Sequence, residues 1–166
     1  MSVNVYSLKY ASKNLKNNEE IVLKAVKTRG SSLEYASNEL KNNKKIVLEA
    51  VKNEGSALIF ASVDLRNDRE IVIEAIKNNA YSLFRASKNL QEDIQIVLKA
   101  VKINPLVLQH TFKDFQNNKK LFICALKHIR DVDYSKFKLG GYKIDFNIQY
   151  NRFIPRKSFE RILNFF

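Results

Sequence analysis

Side chains able to do acid–base, nucleophilic or metal chemistry are few in this chain of 166 residues. The sequence holds two histidines and one cysteine. His128 lies near Asp131 and Asp133 in the sequence, and this group has a composition that zinc sites use. Because the group stands where a regular pattern of the sequence ends, we expect no metal ion there.

Serine recurs with a constant step, as Ser12, Ser37, Ser62 and Ser87. A catalytic serine needs a base within hydrogen-bond reach, but no histidine and acid stand at matched spacing around these four. A hydroxyl inside a helix that bonds to its own backbone is a sufficient explanation. The only glycine pair is Gly140-Gly141, so the sequence has no glycine-rich phosphate loop. We therefore expect no catalytic residue, no cofactor and no enzymatic activity.

Positive charge is concentrated near the C-terminus. The formal net charge is +12; residues 101–166 carry 13 Lys or Arg and 5 Asp or Glu, a balance of +8. Such a surface suits an acidic protein partner and, as the alternative, a nucleic acid whose bases stack on the interleaved aromatic rings. A third interpretation is solubility alone. The basic residues that we single out as binding candidates are Lys136, Lys138, Lys143, Arg152, Arg156 and Lys157.

A 25-residue repeat organises the rest of the chain. Several residue types keep this step independently, and chance does not align them. The clearest columns are Ala25, Ala50, Ala75, Ala100 and Ala125; Leu15, Leu40, Leu65 and Leu90; and Lys27, Lys52, Lys77, Lys102 and Lys127. The lysines fall where a cation stabilises the last turn of a helix.

Each 25-residue unit encodes two short helices. The first follows an asparagine that can cap it and carries an apolar stripe. Gly30 then suits a left-handed C-terminal residue, and Ser31 to Glu34 has the pattern of a capping box that opens the second helix. Such short helices are unstable alone, so neighbouring units must bury their stripes by stacking. We expect an all-α fold, a right-handed α-solenoid of about five repeats over residues 1–130.

The string Leu-Lys-Asn-Asn-x-x-Ile-Val-Leu-x-Ala-Val-Lys, followed by Gly-Ser-x-Leu-x-x-Ala-Ser, resembles a family of tandem helical repeats of unknown function. The resemblance covers residues 6 to 128 and implies helical repeats without an established activity. The layout is also similar to the leucine-rich variant repeat, which implies that the second helix is partly a 3₁₀-helix.

The period stops at Asp131, and residues 131–166 form a second region. Alternation from Tyr142 to Tyr150 predicts a β-hairpin around the glycine pair, and a final helix follows. Cys124 replaces the charged residues that other units carry at its column, so something must cover it. We expect this region to cap the last repeat.

The leading function is a protein–protein interaction module, because solenoids present an extended surface at which residues can vary from unit to unit. The candidate residues lie in two variable columns. The first column has Tyr35, Phe60, Arg85 and His110, and the second contributes Ile59 and Phe84. One cysteine cannot form an internal disulfide, and the sequence shows no signal peptide and no apolar run able to span a membrane. We expect a cytoplasmic protein, monomeric or weakly dimeric.

Overall fold

The computed structural model describes residues 8–104, 107, 110 and 111, and two strands at 138–139 and 142–143. The chain divides into two compact units, Met1–Ile103 and Asn104–Phe166. The described part of the first unit consists of helices and turns that recur with the period of the sequence. This confirms that the fold is built from tandem helical repeats.

Each repeat has one long α-helix of ten residues. It begins after an Asn or Asp side chain that accepts a hydrogen bond from the first turn; Ile21 N, for example, lies 3.1 Å from Asn18 Oδ1. The cap satisfies a backbone N–H that the helix itself cannot pair, as the sequence predicts. The long helices are α2 (Glu19–Thr28), α4 (Lys44–Asn53), α6 (Arg69–Asn78) and α8 (Ile94–Ile103).

The second half of each repeat differs from the single helix that the sequence predicts. It is a 3₁₀-helix of six residues, two extended residues, and one turn of α-helix. The 3₁₀ expectation is thus confirmed for its first part. The 3₁₀-helices are η1 (Gly30–Tyr35), η2 (Gly55–Phe60) and η3 (Ala80–Arg85), and the short α-helices are α1 (Lys13–Lys16), α3 (Asn38–Lys41), α5 (Val63–Arg66) and α7 (Lys88–Gln91).

The recurring serines mark where this segment divides, so their assignment to helix interiors was wrong. Ser37 has an extended backbone and caps α3, because its hydroxyl oxygen accepts a hydrogen bond from Leu40 N at 3.2 Å. The predicted capping box at Ser31 to Glu34 was also wrong, since η1 begins without a side-chain cap.

The serine also joins its repeat to the preceding one. Ser62 N donates to the carbonyl of Lys41 at 3.0 Å, and Ser62 Oγ donates to Asn42 Oδ1 at 2.6 Å. Ser37 and Ser87 make the same two bonds to the repeat before them. We call this pair of bonds the serine joint. It places the start of each short helix on the end of the previous one.

A second polar contact joins α4 and α6 to the turn of the preceding repeat. Asn53 Oδ1 accepts from Gly30 N at 2.8 Å, and Asn53 Nδ2 donates to the carbonyl of Lys27 at 2.9 Å. Asn78 makes the same bonds to Gly55 and Lys52, at 2.7 and 3.0 Å. We call this contact the asparagine joint.

Glycine is needed at the asparagine joint because the backbones approach closely. A Cβ on Gly30 would lie 2.3 Å from the carbonyl oxygen of Ala50, and one on Gly55 would lie 2.4 Å from that of Ala75. The backbone of Gly30 is not left-handed, so the predicted left-handed role was wrong. These glycines provide room for the next helix.

Apolar packing between successive repeats buries the helical stripes. Among α2, α4, α6 and α8, each long helix packs against the next; η1 packs on η2, and η2 on η3. The first repeat shows what a neighbour contributes: Ile21 is 38% exposed, whereas Ile46, Ile71 and Ile96 are fully buried. The stripes are thus buried by stacking rather than within one repeat.

In the second unit, β1 (Lys138–Leu139) and β2 (Tyr142–Lys143) pair antiparallel, with Lys138 opposite Lys143. Val107 lies in a 3₁₀ turn, and His110 and Thr111 are helical. The other residues of the predicted cap at 131–166, and Cys124, lie outside the described residues. The cap and the boundary at residue 130 therefore remain predictions.

Candidate protein-binding surface

The 3₁₀-helices carry most of the predicted binding residues that the structure describes. Because η1 packs on η2 and η2 on η3, the columns predicted from sequence run along one row of helices. Tyr35 and Phe60 are half-buried and Arg85 is exposed at the same column. These side chains serve both as packing groups and as surface, so this row is the candidate site.

The neighbouring column adds apolar side chains. Ile59 is 41% exposed and Phe84 is half-buried. The ring of Phe84 lies beside that of Tyr81, with a centroid distance of 6.2 Å and a tilt of 43°. Aromatic pairs in this geometry attract each other beyond the area they bury, so the two rings form one surface.

Tyr35 has a perturbed hydroxyl. Desolvation by its surroundings, followed by the charge and the hydrogen-bonding carboxylate of Glu34, raises the pKa of Tyr35 above its ordinary value, while Arg29 acts in the opposite direction. A phenol with a raised pKa remains a neutral hydrogen-bond donor over the physiological range. Its proton is the one that the hydroxyl donates to the Glu34 carboxylate.

The other predicted candidates belong to the second unit. His110 is exposed and belongs to the second unit. For Lys138 and Lys143 the structure gives only the paired strands. Lys136, Arg152, Arg156 and Lys157 lie outside the described residues, so their role in binding remains a prediction.

Two surface residues were missed by sequence reasoning. Val63 is 70% exposed and follows Phe60 by three residues, and Tyr81 is 37% exposed and precedes Phe84 by three residues. An apolar residue at an otherwise polar column indicates a contact that the stack itself does not require. That signal was present in the sequence for Val63, which stands where other repeats have Lys13, Asn38 and Lys88. The column of Tyr81 is mixed, with Tyr6 as well as Ser31 and Ser56, so its pattern gives a weaker signal.

The long helices carry ion pairs between repeats. The pairs are Lys45 with Glu19 at 3.0 Å, Lys44 with Asp68 at 2.9 Å, and Arg69 with Asp93. The lysine column is partly paired as well, because Lys27 and Lys52 both reach Glu49, and Lys77 reaches Glu74. Much of the charge on this face is therefore matched within the molecule.

These ion pairs perturb the caps of the later helices. Partial burial works to raise the pKa of Asp68, but the Lys44 ammonium and the N–H groups of α6 outweigh it, so this pKa is lower than usual. The Arg69 guanidinium is the main cause that lowers the pKa of Asp93. Both carboxylates are ionised caps near neutral pH.

The residues that the structure describes hold neither a metal-binding cluster nor a membrane-spanning helix. Within them, no three His, Cys, Asp or Glu side chains come together as a metal site would need. The helices of this same part are too short and too polar to cross a bilayer. The sequence group of His128, Asp131 and Asp133 lies outside the described residues.

Comparison with known proteins identifies the repeat. The family model of the domain of unknown function DUF4116 matches residues 1–41, 43–91 and 93–132. The matched segments are separated at residues 42 and 92, two periods apart, so the family's unit corresponds to two of the 25-residue repeats. No curated protein and no solved structure is significantly similar to the chain. The matches cover most of the sequence, and the chain belongs to the DUF4116 family.

Proposed function

We propose that this chain is a non-enzymatic α-solenoid module that binds another protein, and that the row of 3₁₀-helices is its binding face. One observation carries the proposal: the core columns repeat almost unchanged, whereas the exposed columns on this row change from repeat to repeat. The alanine column is constant, but Glu34, Ile59 and Phe84 share one column and differ in charge and size. Variation confined to the surface is what a repeat scaffold uses to set partner choice.

The partner's surface is acidic in this proposal. The whole chain has a net charge of +12, and residues 101–166 carry the larger share of it. Complementary charge accelerates encounter and disfavours basic partners. The alternative is nucleic-acid binding by the basic C-terminal half, which the same charge favours. The expected cytoplasmic location and the monomeric or weakly dimeric state belong to the same proposal.

Affinity capture from a lysate of the native host tests the protein-binding proposal. We expect the intact chain to retain a protein after nuclease treatment, and to release it as salt is raised from about 0.05 to about 0.5 M because screening shortens the reach of charge. Retention that nuclease abolishes would favour the nucleic-acid alternative. Capture of no macromolecule under either condition would contradict both.

A further inference from the structure

The strongest unexplained feature is an apolar patch on η2, η3 and the start of α5. We call it the η2–η3 patch. Its side chains are Ile59, Phe60, Val63, Tyr81 and Phe84. Val63 is 70% exposed, more than any other aliphatic residue among the exposed apolar side chains of the described part. Because η2 packs on η3, these side chains lie on neighbouring elements. Apolar side chains exposed together mark interaction sites in soluble proteins.

The preceding repeat has polar residues at two positions of this patch. Ile59 stands where the preceding repeat has Glu34, and Val63 stands where it has Asn38. Both polar residues are exposed in a repeat with the same succession of helices and the same joints. The repeat thus folds with a polar residue at either position, and the apolar choice in the next repeat adds apolar surface that the stack does not require there.

Two cations follow Phe84 in the chain. Arg85 ends η3 and Lys88 begins α7, and both are exposed. Neither has an ion pair with another residue in the part of the chain that the structure describes, in contrast to Lys44 and Lys45 on the long helices. A partner with carboxylates would complement these two charges.

The backbone hydrogen bonding around the patch favours a helical partner segment over an extended one. Residues of η2, η3 and α5 direct their backbone hydrogen bonds into helices and joints, so this part of the surface has no strand edge for an extended peptide. A helix satisfies its own backbone and can present an apolar stripe together with flanking acids.

We propose that the η2–η3 patch is a docking site for an acidic amphipathic helix of a partner protein. The apolar stripe of that helix covers Ile59, Val63 and Phe84, and its carboxylates face Arg85 and Lys88. This inference rests on the proposed protein-binding function and adds the site and the chemistry of the partner.

Fluorescence anisotropy with two labelled peptides tests it. The probe is a helical peptide of about 16 residues with Leu at i, i+3, i+4 and i+7 and Glu on both flanks of that stripe. The matched peptide has Lys at each Glu position. We expect the acidic peptide to bind at least about tenfold more tightly than the basic one at low salt.

Variants copied from the chain's own repeats separate binding from folding. Ile59→Glu with Val63→Asn installs the residues of the preceding repeat. We expect this variant to weaken binding of the acidic peptide at least about tenfold, with an unchanged circular dichroism spectrum.

Charge variants test the second half of the proposal. Arg85→Glu with Lys88→Glu should reverse the preference between the two peptides, because the cations beside the patch become anions. The matched control, Lys16→Glu with Lys24→Glu, makes the same change of net charge on α1 and α2. It should leave the preference for the acidic peptide in place.

Equal affinity for the two peptides, no binding of the acidic peptide, or an equal loss in the Lys16/Lys24 control would overturn the proposal. Tighter binding of an extended proline-rich peptide would overturn it too. Lysate capture distinguishes the two levels of inference: a protein retained equally by the wild type and by Ile59→Glu/Val63→Asn sinks the patch but leaves the module function standing.

Discussion

Two asparagine joints in this molecule contrast with a third place where the same joint could form. At Gly30 and Gly55 the next long helix supplies Asn53 or Asn78, and a backbone N–H donates to each amide. At the third place the glycine is replaced by Ala80 and the asparagine by Ile103, which is 49% exposed. Both residues change together, so glycine and asparagine act as one device: without the Cβ the backbones come close enough for the amide to bridge them.

We expect the largest loss of stability from a side chain added at the glycine of an asparagine joint. Gly55→Ala would place a methyl group 2.4 Å from the carbonyl oxygen of Ala75, against backbone that cannot move aside cheaply. We expect the free energy of unfolding to fall by about 3 kcal/mol in urea denaturation. The control is Ala80→Gly, which should cost only about 1 kcal/mol through backbone entropy. Equal costs at residues 55 and 80 would remove the contrast between the joints.

Loss of the amide alone should have a smaller effect. Asn78→Ile copies residue 103 and leaves Gly55 N and the Lys52 carbonyl without the bonds that they have at 2.7 and 3.0 Å. We expect a loss of about 2 kcal/mol in the free energy of unfolding, because the part-buried N–H of Gly55 loses its partner. In a wild-type background, Ile103→Asn with Ala80→Gly should raise that free energy if the joint is transferable. A destabilised reciprocal variant would show that the third place has its own packing.

The serines offer a comparison on a smaller scale. Ser62 caps α5 and donates to Asn42, whereas Ser82 is 1% exposed and its hydroxyl has no hydrogen-bond partner among the described residues. Ser62→Ala should cost about 1 kcal/mol through the lost cap. Ser82→Ala should be neutral or slightly stabilising, because it removes a buried hydroxyl that gains nothing from burial. Thermal unfolding of the two variants compares them directly; a larger loss at residue 82 would contradict the assignment.

The smallest expected effect is the dependence of stability on acidic pH. Asn18 and Asn43 cap the first two long helices and do not titrate, whereas Asp68 and Asp93 cap the next two with lowered pKa values. A lowered folded-state pKa contributes stability above the unfolded pKa of about 3.9, and the contribution is lost as pH falls through the folded value. We expect stability to decrease below about pH 4, and Asp93→Asn to flatten that decrease. An unchanged slope in denaturation series between about pH 2 and about pH 5 would argue against charged caps.

The sequence predicts the period, the long helices and their caps, because each depends on residues within one repeat. It fails where two local patterns compete. Ser31 to Glu34 and Ser37 both have the form of a helix start, and the apolar spacing of Leu33, Ala36 and Leu40 fits an unbroken helix. The bonds from Ser37 to the preceding repeat decide the outcome, and those partners are distant in the sequence.

Part of the candidate surface could be predicted by comparing residues that stand one period apart. Ile59, Phe60 and Phe84 stand out in columns that vary. Val63 is an apolar exception in a polar column, whereas Tyr81 stands in a mixed column that also contains Tyr6. Comparing each residue with its counterparts one period away would have found Val63. The exposure of a side chain cannot be predicted from its column alone. Leu15 and Leu40 share a column, but Leu15 is 43% exposed and Leu40 is 5% exposed.

The serine joint has a consequence for how such a chain can grow. The acceptor and the donor of its side-chain hydrogen bond lie in successive repeats, at Asn42 and Ser62 for example. A tandem copy of a repeat that has both residues therefore carries a donor for the repeat before it and an acceptor for the repeat after it. A duplication in phase would insert a whole repeat and recreate the joint on both sides without any compensating substitution. Glu92 takes the asparagine column and Phe112 the serine column, so both partners of the next such bond are replaced together. Gene duplication can thus lengthen the array by one repeat at a time among the repeats that keep the asparagine and the serine. A copy inserted directly after Glu92 would lack the asparagine that accepts the hydrogen bond of its serine.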